Sequence, residues 1–142
     1  MEVRQERTGW RDEALSLRHR QWGWNCPGID LDFLFLEYDK GKATAIVEYK
    51  NEHAAPQKAS HPSYQAMIDL GDRADIPVFA CRYADDFSWW KIIPLNTIAR
   101  GKLPKRTEMT EPEWITFLYG LRGYECPQSI IAGLDMIQRE IA

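Results

Sequence analysis

Hydrophobic and polar positions change their period several times along the chain, and this pattern predicts a series of short helices and strands. Apolar residues recur at helical spacing from Gly9 to His19, after Thr8, which is a favourable N-cap residue. Residues Gln21 to Trp24 are interpreted as a short strand, and the segment from Asn25 to Gly28 is rich in turn-forming residues. The first part of the chain is therefore predicted to contain one helix, a strand and a turn.

The strongest strand signal comes from two segments on either side of the sequence Asp39-Lys40-Gly41-Lys42. The first segment runs from Ile29 to Tyr38 and the second from Ala43 to Lys50, and both are rich in β-forming residues. A three-residue turn centred on Lys40 would join them as an antiparallel hairpin with Tyr38 opposite Lys42. We therefore predict a β-hairpin across this part of the chain.

The rest of the chain continues in alternating helical and strand patterns. The capping-box sequence Thr110-Glu111-Pro112-Glu113 marks the start of one of the later helices. The predicted elements are a helix from Ser60 or Pro62 to Arg73, strands Ile76–Tyr83 and Ser88–Leu95, a helix from the capping box to Gly123, and a helix Gln128–Ile141. The last helix has an apolar stripe, which is expected to pack against the sheet or against a partner subunit.

Composition indicates the class of protein. A chain of 142 residues with 44% hydrophobic residues can fill one core, so we expect a single domain over residues 1–142. Its apolar runs are far shorter than the roughly 20 residues that cross a membrane, and the N-terminus does not resemble a signal peptide. We therefore expect a cytoplasmic protein with no membrane association. The three cysteines lack a Cys-x-x-Cys pair, which favours reduced and mostly buried thiols.

The predicted hairpin gathers charged residues on one of its faces. Strand alternation places Asp30 and Asp32 on one face of the first strand, and Glu48 and Lys50 on one face of the second. With the assumed turn, Asp32 lies opposite Glu48 and Asp30 lies opposite Lys50. A slip of two residues would instead place Asp32 opposite Lys50.

Clustered carboxylates repel each other and need a compensating charge. Mg²⁺ takes oxygen ligands, and it is typically held by one or two carboxylates together with phosphate oxygens of a substrate. Such an ion activates water and offsets charge on a phosphate, while a nearby lysine orients the nucleophile or stabilises the transition state. These residue types therefore indicate hydrolysis of phosphodiester bonds.

The same residues resemble the motif of the PD-(D/E)XK nuclease superfamily, whose fold is called restriction-endonuclease-like. That motif has an Asp at the start of one central strand and a Glu-x-Lys in the next strand. Glu48-Tyr49-Lys50 matches the second half, and either Asp30 or Asp32 supplies the first half, with Asp32 at the better-fitting distance from the turn. The residues before the aspartates are Gly28-Ile29, without the proline of the family name.

The resemblance implies a fold and a set of site residues. It implies an α/β fold with an αβββαβ core over about residues 8–96, a central mixed sheet of about five strands flanked by helices, and a C-terminal helical segment over about residues 110–142. The implied catalytic residues are Asp32, Glu48, Lys50 and Gln65, and the implied metal ligands are Asp32, Glu48, Asp30 and the backbone carbonyl of Tyr49. Gln65 corresponds to a polar residue on the helix after the hairpin in many members, although the tyrosine that usually follows it is replaced by Asp69. Some members also use a glutamate of the first helix, for which Glu6 and Glu13 are candidates.

The resulting expectation is a nuclease that requires Mg²⁺, for which Mn²⁺ substitutes, and that cleaves duplex or branched DNA, either as a monomer or as a homodimer. A net charge of −3 is unusual for a nucleic-acid-binding protein, but basic residues cluster near the start and again at Lys102, Lys105 and Arg106. The alternative is a non-catalytic nucleic-acid-binding or assembly protein that keeps the fold. Intact Asp32, Glu48 and Lys50 favour the enzyme.

Overall fold

The computed structural model describes residues 13–23 and 25–141, with side chains up to residue 134. The chain divides into two compact units, Met1–Asp30 and Leu31–Ala142. The expectation of a single domain over residues 1–142 stays a prediction. In the described part of the chain, no helix combines the length and the apolar character needed to cross a membrane.

Five helices and five strands follow one another in the described residues. They are α1 Glu13–Gln21, β1 Phe33–Glu37, β2 Lys42–Asn51, α2 Pro62–Ala74, β3 Val78–Tyr83, β4 Trp90–Pro94, α3 Thr97–Lys102, β5 Thr107–Met109, α4 Glu111–Leu121 and α5 Gln128–Ile141. The class is α/β, as predicted. The expected αβββαβ order is not reproduced, because two strands and not three lie between α1 and α2 within the described residues.

The first compact unit differs from the prediction after its helix. Gln21 is the last residue of α1, Trp22 lies in a turn and Gly23 is in neither a helix nor a strand, so the strand predicted over Gln21–Trp24 is wrong for its described residues. The amide of Trp22 donates to the carbonyl of Arg18, which continues the helical winding. Gly23 has a φ of +87° and ends the winding. The predicted start of this helix at Gly9 lies outside the described residues.

The second unit is built on one sheet with the strand order β1-β2-β3-β4-β5. The β2–β3 pair is parallel, and the other three pairs are antiparallel. The chain between β2 and β3 contains α2, because parallel neighbours need a crossover connection. The sheet is therefore mixed and five-stranded, as predicted.

The β1–β2 hairpin has a different turn from the one predicted. Glu37 and not Tyr38 pairs with Lys42, because Tyr38–Lys40 forms a 3₁₀ turn that Gly41 ends with a φ of +59°. A bulge between Phe35 and Leu36 shifts the pairing by one residue. Beyond the bulge Phe33 pairs with Val47, so the register at the far end of the hairpin is the predicted one.

Strand β1 is shorter than the predicted strand from Ile29 to Tyr38. The backbone leaves the sheet before Phe33, and the side chain of Asp32 replaces a backbone acceptor by taking a 3.0 Å hydrogen bond from the Tyr49 amide. Asp30 therefore lies outside the strand and in the first compact unit. The alternation that placed it opposite Lys50 does not apply.

Each face of the sheet is covered by a separate group of helices. Tyr64 and Met67 of α2 pack with Ile46 and Val78 on one face. On the other face, Trp114 of α4 packs with Ala99 of α3 and with Leu103, which follows α3. The strand residues of the same cluster are Val47, Phe79, Cys81 and Ile92. This two-sided burial explains why β3 is almost continuously apolar.

Helix α2 approaches the sheet closely at one glycine. A Cβ atom on Gly71 would overlap the side chain of Val78. The helix continues past Gly71 to Ala74, one residue beyond the predicted end at Arg73, and Asp75 ends it in the left-handed conformation. Gly71 therefore sets how closely α2 lies on β3.

The C-terminal half contains two elements that the hydrophobic pattern does not predict, α3 and β5. The buried side chain of Asn96 begins α3 by accepting a hydrogen bond from the Ala99 amide at 2.9 Å. The prediction for α4 is confirmed, including the reciprocal capping box between Thr110 and Glu113, and α5 has the predicted bounds.

Candidate active site

The candidate site begins where Asp32 meets the middle of β2. Oδ2 of Asp32 accepts the Tyr49 amide at 3.0 Å, which holds the aspartate beside the strand. Because Tyr49 follows Glu48 in β2, this bond brings Asp32 beside Glu48, where its charge adds to the effect of burial in raising the pKa of the Glu48 carboxyl. This is the adjacency that the hairpin register predicts.

Glu48 is the most enclosed member of this group. Its side chain is 13% exposed, and its Oε2 atom is buried without a hydrogen-bond partner in the described residues. Burial raises the pKa of Glu48 above its ordinary value, and the neighbouring Asp32 charge raises it further, against the opposing effect of Lys50. The protein therefore holds a carboxylate whose charge the surrounding side chains do not fully compensate.

Lys50 lies on the same face one strand repeat further along β2. Its Nζ atom is 3.8 Å from Oε1 of Glu48, which is near the upper limit for an ion pair, and its side chain is 34% exposed. The ammonium group therefore reaches the acidic pair and also remains open to solvent. A solvent-accessible ligand can contact it.

Lys50 also belongs to a row of positive residues that crosses the sheet. It pairs with Arg82 of β3, and Arg82 pairs with Lys91 of β4, so the three side chains leave the same face of the sheet. The Arg82 guanidinium donates to the carbonyls of Glu52 and Ala54 at 2.6 and 2.7 Å and is thereby held in place. Nζ of Lys91 lies 4.0 Å from Oε1 of Glu108, and the Arg82 hydrogen bonds are directed to the loop carbonyls, so Lys50 is the cation of this row that borders the acidic pair.

Helix α2 contributes Tyr64 beside the acidic pair. Tyr64 is 5% exposed, and its pKa is raised by burial first and then by the charges of Glu48 and Asp32. The hydroxyl therefore stays protonated close to both carboxylates. The sequence pattern gives Tyr64 only as an apolar helix position, and its chemistry becomes visible only when α2 is placed over β2.

Gln65, the predicted contribution of this helix, points elsewhere. It is exposed, and its Nε2 atom donates to the carbonyl of Ala59 at 2.9 Å, in the loop before α2. Successive residues of a helix are separated by about 100° around its axis, so Gln65 does not share the direction of Tyr64. A catalytic role for Gln65 stays a prediction.

The side chain and the backbone of Tyr49 face different surroundings. The hydroxyl accepts a hydrogen bond from Nε1 of Trp114 at 3.2 Å on the opposite face of the sheet, and burial raises the pKa of Tyr49 to about 12. The carbonyl and the amide of one strand residue point to the same side, so the Tyr49 carbonyl faces the Asp32 side of β2. That direction is compatible with its predicted role as a metal ligand.

The structure does not relate the remaining predicted acidic residues to this group. Asp30 belongs to the first compact unit, and so does Glu13, which is exposed in the first turn of α1. Glu6 lies outside the described residues. The roles of all three stay predictions.

Comparison with known proteins gives no relatives. No protein-family model matches the chain, and neither curated proteins nor solved structures give a significant match.

Proposed function

We propose that this protein is a Mg²⁺-dependent nuclease that hydrolyses phosphodiester bonds in DNA. The observation that carries the proposal is the Oε2 atom of Glu48, which is buried without a hydrogen-bond partner in the described residues. It belongs to a carboxyl group whose pKa is raised by burial and by Asp32, and whose Oε1 atom lies 3.8 Å from the Lys50 ammonium group. An uncompensated buried carboxylate costs free energy, so its presence calls for a ligand that compensates it. A divalent cation is the simplest such ligand.

The donor set fits Mg²⁺. Asp32 and Glu48 supply carboxylate oxygens, and the Tyr49 carbonyl faces the same side of the strand. When bound, the ion would lower the pKa of water and offset negative charge on the phosphate, and Mn²⁺ would replace it because it accepts the same oxygen ligands. Asp30 is an alternative carboxylate ligand implied by the resemblance to the nuclease motif.

The other residues of the site have roles that follow from their chemistry. Lys50 can donate to a phosphate oxygen or to an attacking water while staying within 3.8 Å of Glu48. The Tyr64 hydroxyl, whose pKa is raised by burial and then by the neighbouring charges, offers a neutral hydrogen-bond donor to the same region. Glu48 and Asp32 thus hold the ion, and Lys50 stabilises the charge that develops on the phosphate.

DNA is the proposed substrate class, in duplex or branched form. The net charge of −3 predicts weak general attraction to a polyanion, so productive contacts must come from local positive groups. Lys102 at the end of α3, and Lys105 and Arg106 just before β5, are all exposed and supply such groups. The small size of the chain favours recognition of DNA shape over reading of a long base sequence.

The proposal is tested by cleavage of supercoiled plasmid and of branched DNA junctions with purified protein in Mg²⁺ or Mn²⁺. We expect metal-dependent cleavage by the wild type, and loss of at least about a hundredfold in Glu48→Gln and Lys50→Ala. Mg²⁺ binding, followed by calorimetry without DNA, should be lost in Glu48→Gln but kept in Lys50→Ala.

Glu108→Gln is the matched control, because it changes the same side chain in the same sheet at an exposed position in β5. Its cleavage and Mg²⁺ binding should equal those of the wild type. If the wild type binds DNA but neither binds Mg²⁺ nor cleaves any substrate, the non-catalytic binding protein is the correct alternative. If Glu48→Gln cleaves as fast as the wild type, the assigned site is wrong.

A further inference from the structure

A second group of potential metal ligands lies beyond the ends of β2 and β3. Oε1 of Glu52, Nε2 of His53 and a carboxylate oxygen of Asp85 all lie within 4.8 Å of one another. Nε2 of His53 is 3.2 Å from Glu52 Oε1 and 2.6 Å from Asp85 Oδ2. The imidazole nitrogen is thus located between two carboxylates.

The strand register brings these residues together. Strands β2 and β3 are parallel, and their last pair is Asn51 with Tyr83. The amide of Glu52 donates to the Tyr83 carbonyl at 2.8 Å and extends this pairing by one more bond. Residues that follow two paired parallel strands leave the sheet side by side, so the meeting of Glu52 and His53 with Asp85 is set by the backbone.

Neighbouring groups hold the cluster in position. Asn51 Nδ2 donates to Oδ1 of Asp85 at 2.6 Å, and Asn51 Oδ1 accepts from the His53 amide at 3.0 Å. The two Arg82 hydrogen bonds fix the carbonyls of Glu52 and Ala54 in the same loop. Ligating carboxylates and histidines commonly have such outer hydrogen bonds, which orient the atom that binds the metal.

A hydrogen bond alone satisfies this cluster only in part. A neutral imidazole carries at most one proton on Nε2, yet two carboxylate oxygens approach that atom. A divalent cation would match the charge of the two carboxylates and serve all three ligand atoms.

We propose that Glu52, His53 and Asp85 form a binding site for a divalent transition-metal ion, with Zn²⁺ as the preferred ion. A histidine nitrogen with two carboxylates is a ligand set suited to Zn²⁺, whereas Mg²⁺ prefers an all-oxygen set such as Asp32 and Glu48. The bound ion would join the loop after β2 to the turn after β3. The site does not depend on the proposed nuclease activity.

Calorimetric titration of chelator-treated protein with Zn²⁺ tests the proposal. The titrations use protein that carries Glu48→Gln, so that the proposed metal site at Asp32 and Glu48 does not contribute to binding. We expect Glu48→Gln to bind one Zn²⁺ and the double variants with His53→Ala or Asp85→Asn to lose at least about tenfold in affinity. Co²⁺ should give visible absorption bands that disappear with His53→Ala. His19→Ala is the matched control, since His19 is an exposed histidine outside the cluster, and its variant should bind as before.

Thermal unfolding gives a second readout that a purely structural hydrogen bond would not produce. At about a hundred times the dissociation constant, Zn²⁺ should raise the melting temperature of Glu48→Gln by roughly 5–10 °C, and the rise should be absent in the His53→Ala double variant. Millimolar or weaker Zn²⁺ binding, or equal binding with and without His53, would overturn the proposal. A nuclease-negative protein that still binds Zn²⁺ through His53 would overturn the proposed function and leave this site intact.

Discussion

The carboxylate of Asp32 accepts a hydrogen bond from the backbone amide of Tyr49 at 3.0 Å, at the point where β1 has ended and β2 continues. This bond places the charge of Asp32 next to Glu48. Glu48 precedes Tyr49 in β2, so its side chain lies on the opposite face of the sheet from the Tyr49 side chain. The acidic pair is therefore produced by backbone geometry and exists before any ligand binds.

Asp32→Asn should lower the pKa of Glu48 without displacing the chain. The asparagine carbonyl can still accept the Tyr49 amide, but the charge that raises the Glu48 pKa is removed. Burial is the larger cause, so the pKa of Glu48 should fall and still remain above its ordinary value. Carbon-13 NMR titration of the glutamate carboxyls measures this change. Asp39→Asn, in the exposed turn, is the control, and an unchanged Glu48 titration in Asp32→Asn would contradict the pairing.

Glu48→Gln should stabilise the metal-free protein, by on the order of 1 kcal/mol at pH 7, because it removes a buried, uncompensated charge. The pKa of Glu48 is raised in the folded state, so the folded protein binds this proton more tightly than the unfolded chain. The contribution of Glu48 to stability is complete at pH values below its pKa in the unfolded chain. It is lost as the pH rises through its pKa in the folded protein. Urea unfolding from pH 4 to 8 should therefore give a difference between variant and wild type that grows with pH.

In the presence of Mg²⁺ the wild type should be more stable than Glu48→Gln, because the ion stabilises the wild type and leaves the free energy of unfolding of Glu48→Gln unchanged. Glu108→Gln, at the exposed edge, should follow the wild type at each pH. A wild-type protein that is more stable than Glu48→Gln without metal at pH 7 would show that Glu48 is internally compensated.

Tyr49→Phe should cost about 1–3 kcal/mol of unfolding free energy, because Nε1 of the buried Trp114 loses its acceptor. The change is on the face opposite to Glu48, so Mg²⁺ binding should be retained. Denaturant unfolding and calorimetry measure the two effects separately. Tyr38→Phe is the control, since Tyr38 is 86% exposed, and a similar loss of stability in both variants would contradict the assigned hydrogen bond.

Gly71→Ala should destabilise the protein by about 1–3 kcal/mol, because a Cβ atom there would overlap Val78 and push α2 away from β3. Gly120→Ala is the matched control in α4, where an added Cβ has open space. Alanine has the higher helix propensity, so Gly120→Ala should be neutral or stabilising by up to about 1 kcal/mol. Thermal unfolding compares the two, and equal effects would show that α2 does not pack closely at Gly71.

The local signals of the chain were sufficient for several elements. The capping box at Thr110 and Glu113 marked the start of α4, and the apolar period set the bounds of α5. The pairing of Phe33 with Val47 agrees with the predicted register although the predicted turn is wrong, because the bulge at Phe35 and Leu36 offsets the one-residue change at the turn. These features depend on residues that are close in sequence or joined by a short turn.

Other features depend on contacts between distant segments and were not predictable in this way. Helix α3 begins at Asn96, whose buried side chain also accepts the Val78 amide and donates to the Ile76 carbonyl. Tyr64 becomes a site residue only when Gly71 allows α2 to lie close to the sheet. Asp85 meets His53 only through the parallel register of β2 and β3. None of these relationships has a local sequence pattern.

Because of the bulge in the hairpin, the length of the turn can change without changing the geometry of the site. Thr44 is the extra residue between the partners of Phe35 and Leu36, its hydroxyl is buried without a partner in the described residues, and β2 begins to pair with β3 only at Ile46. Removing Thr44 would therefore restore continuous pairing at the turn and leave the β2–β3 register unchanged. The tip of this hairpin can accordingly be shortened or exchanged for another loop while Asp32 and Glu48 keep their positions.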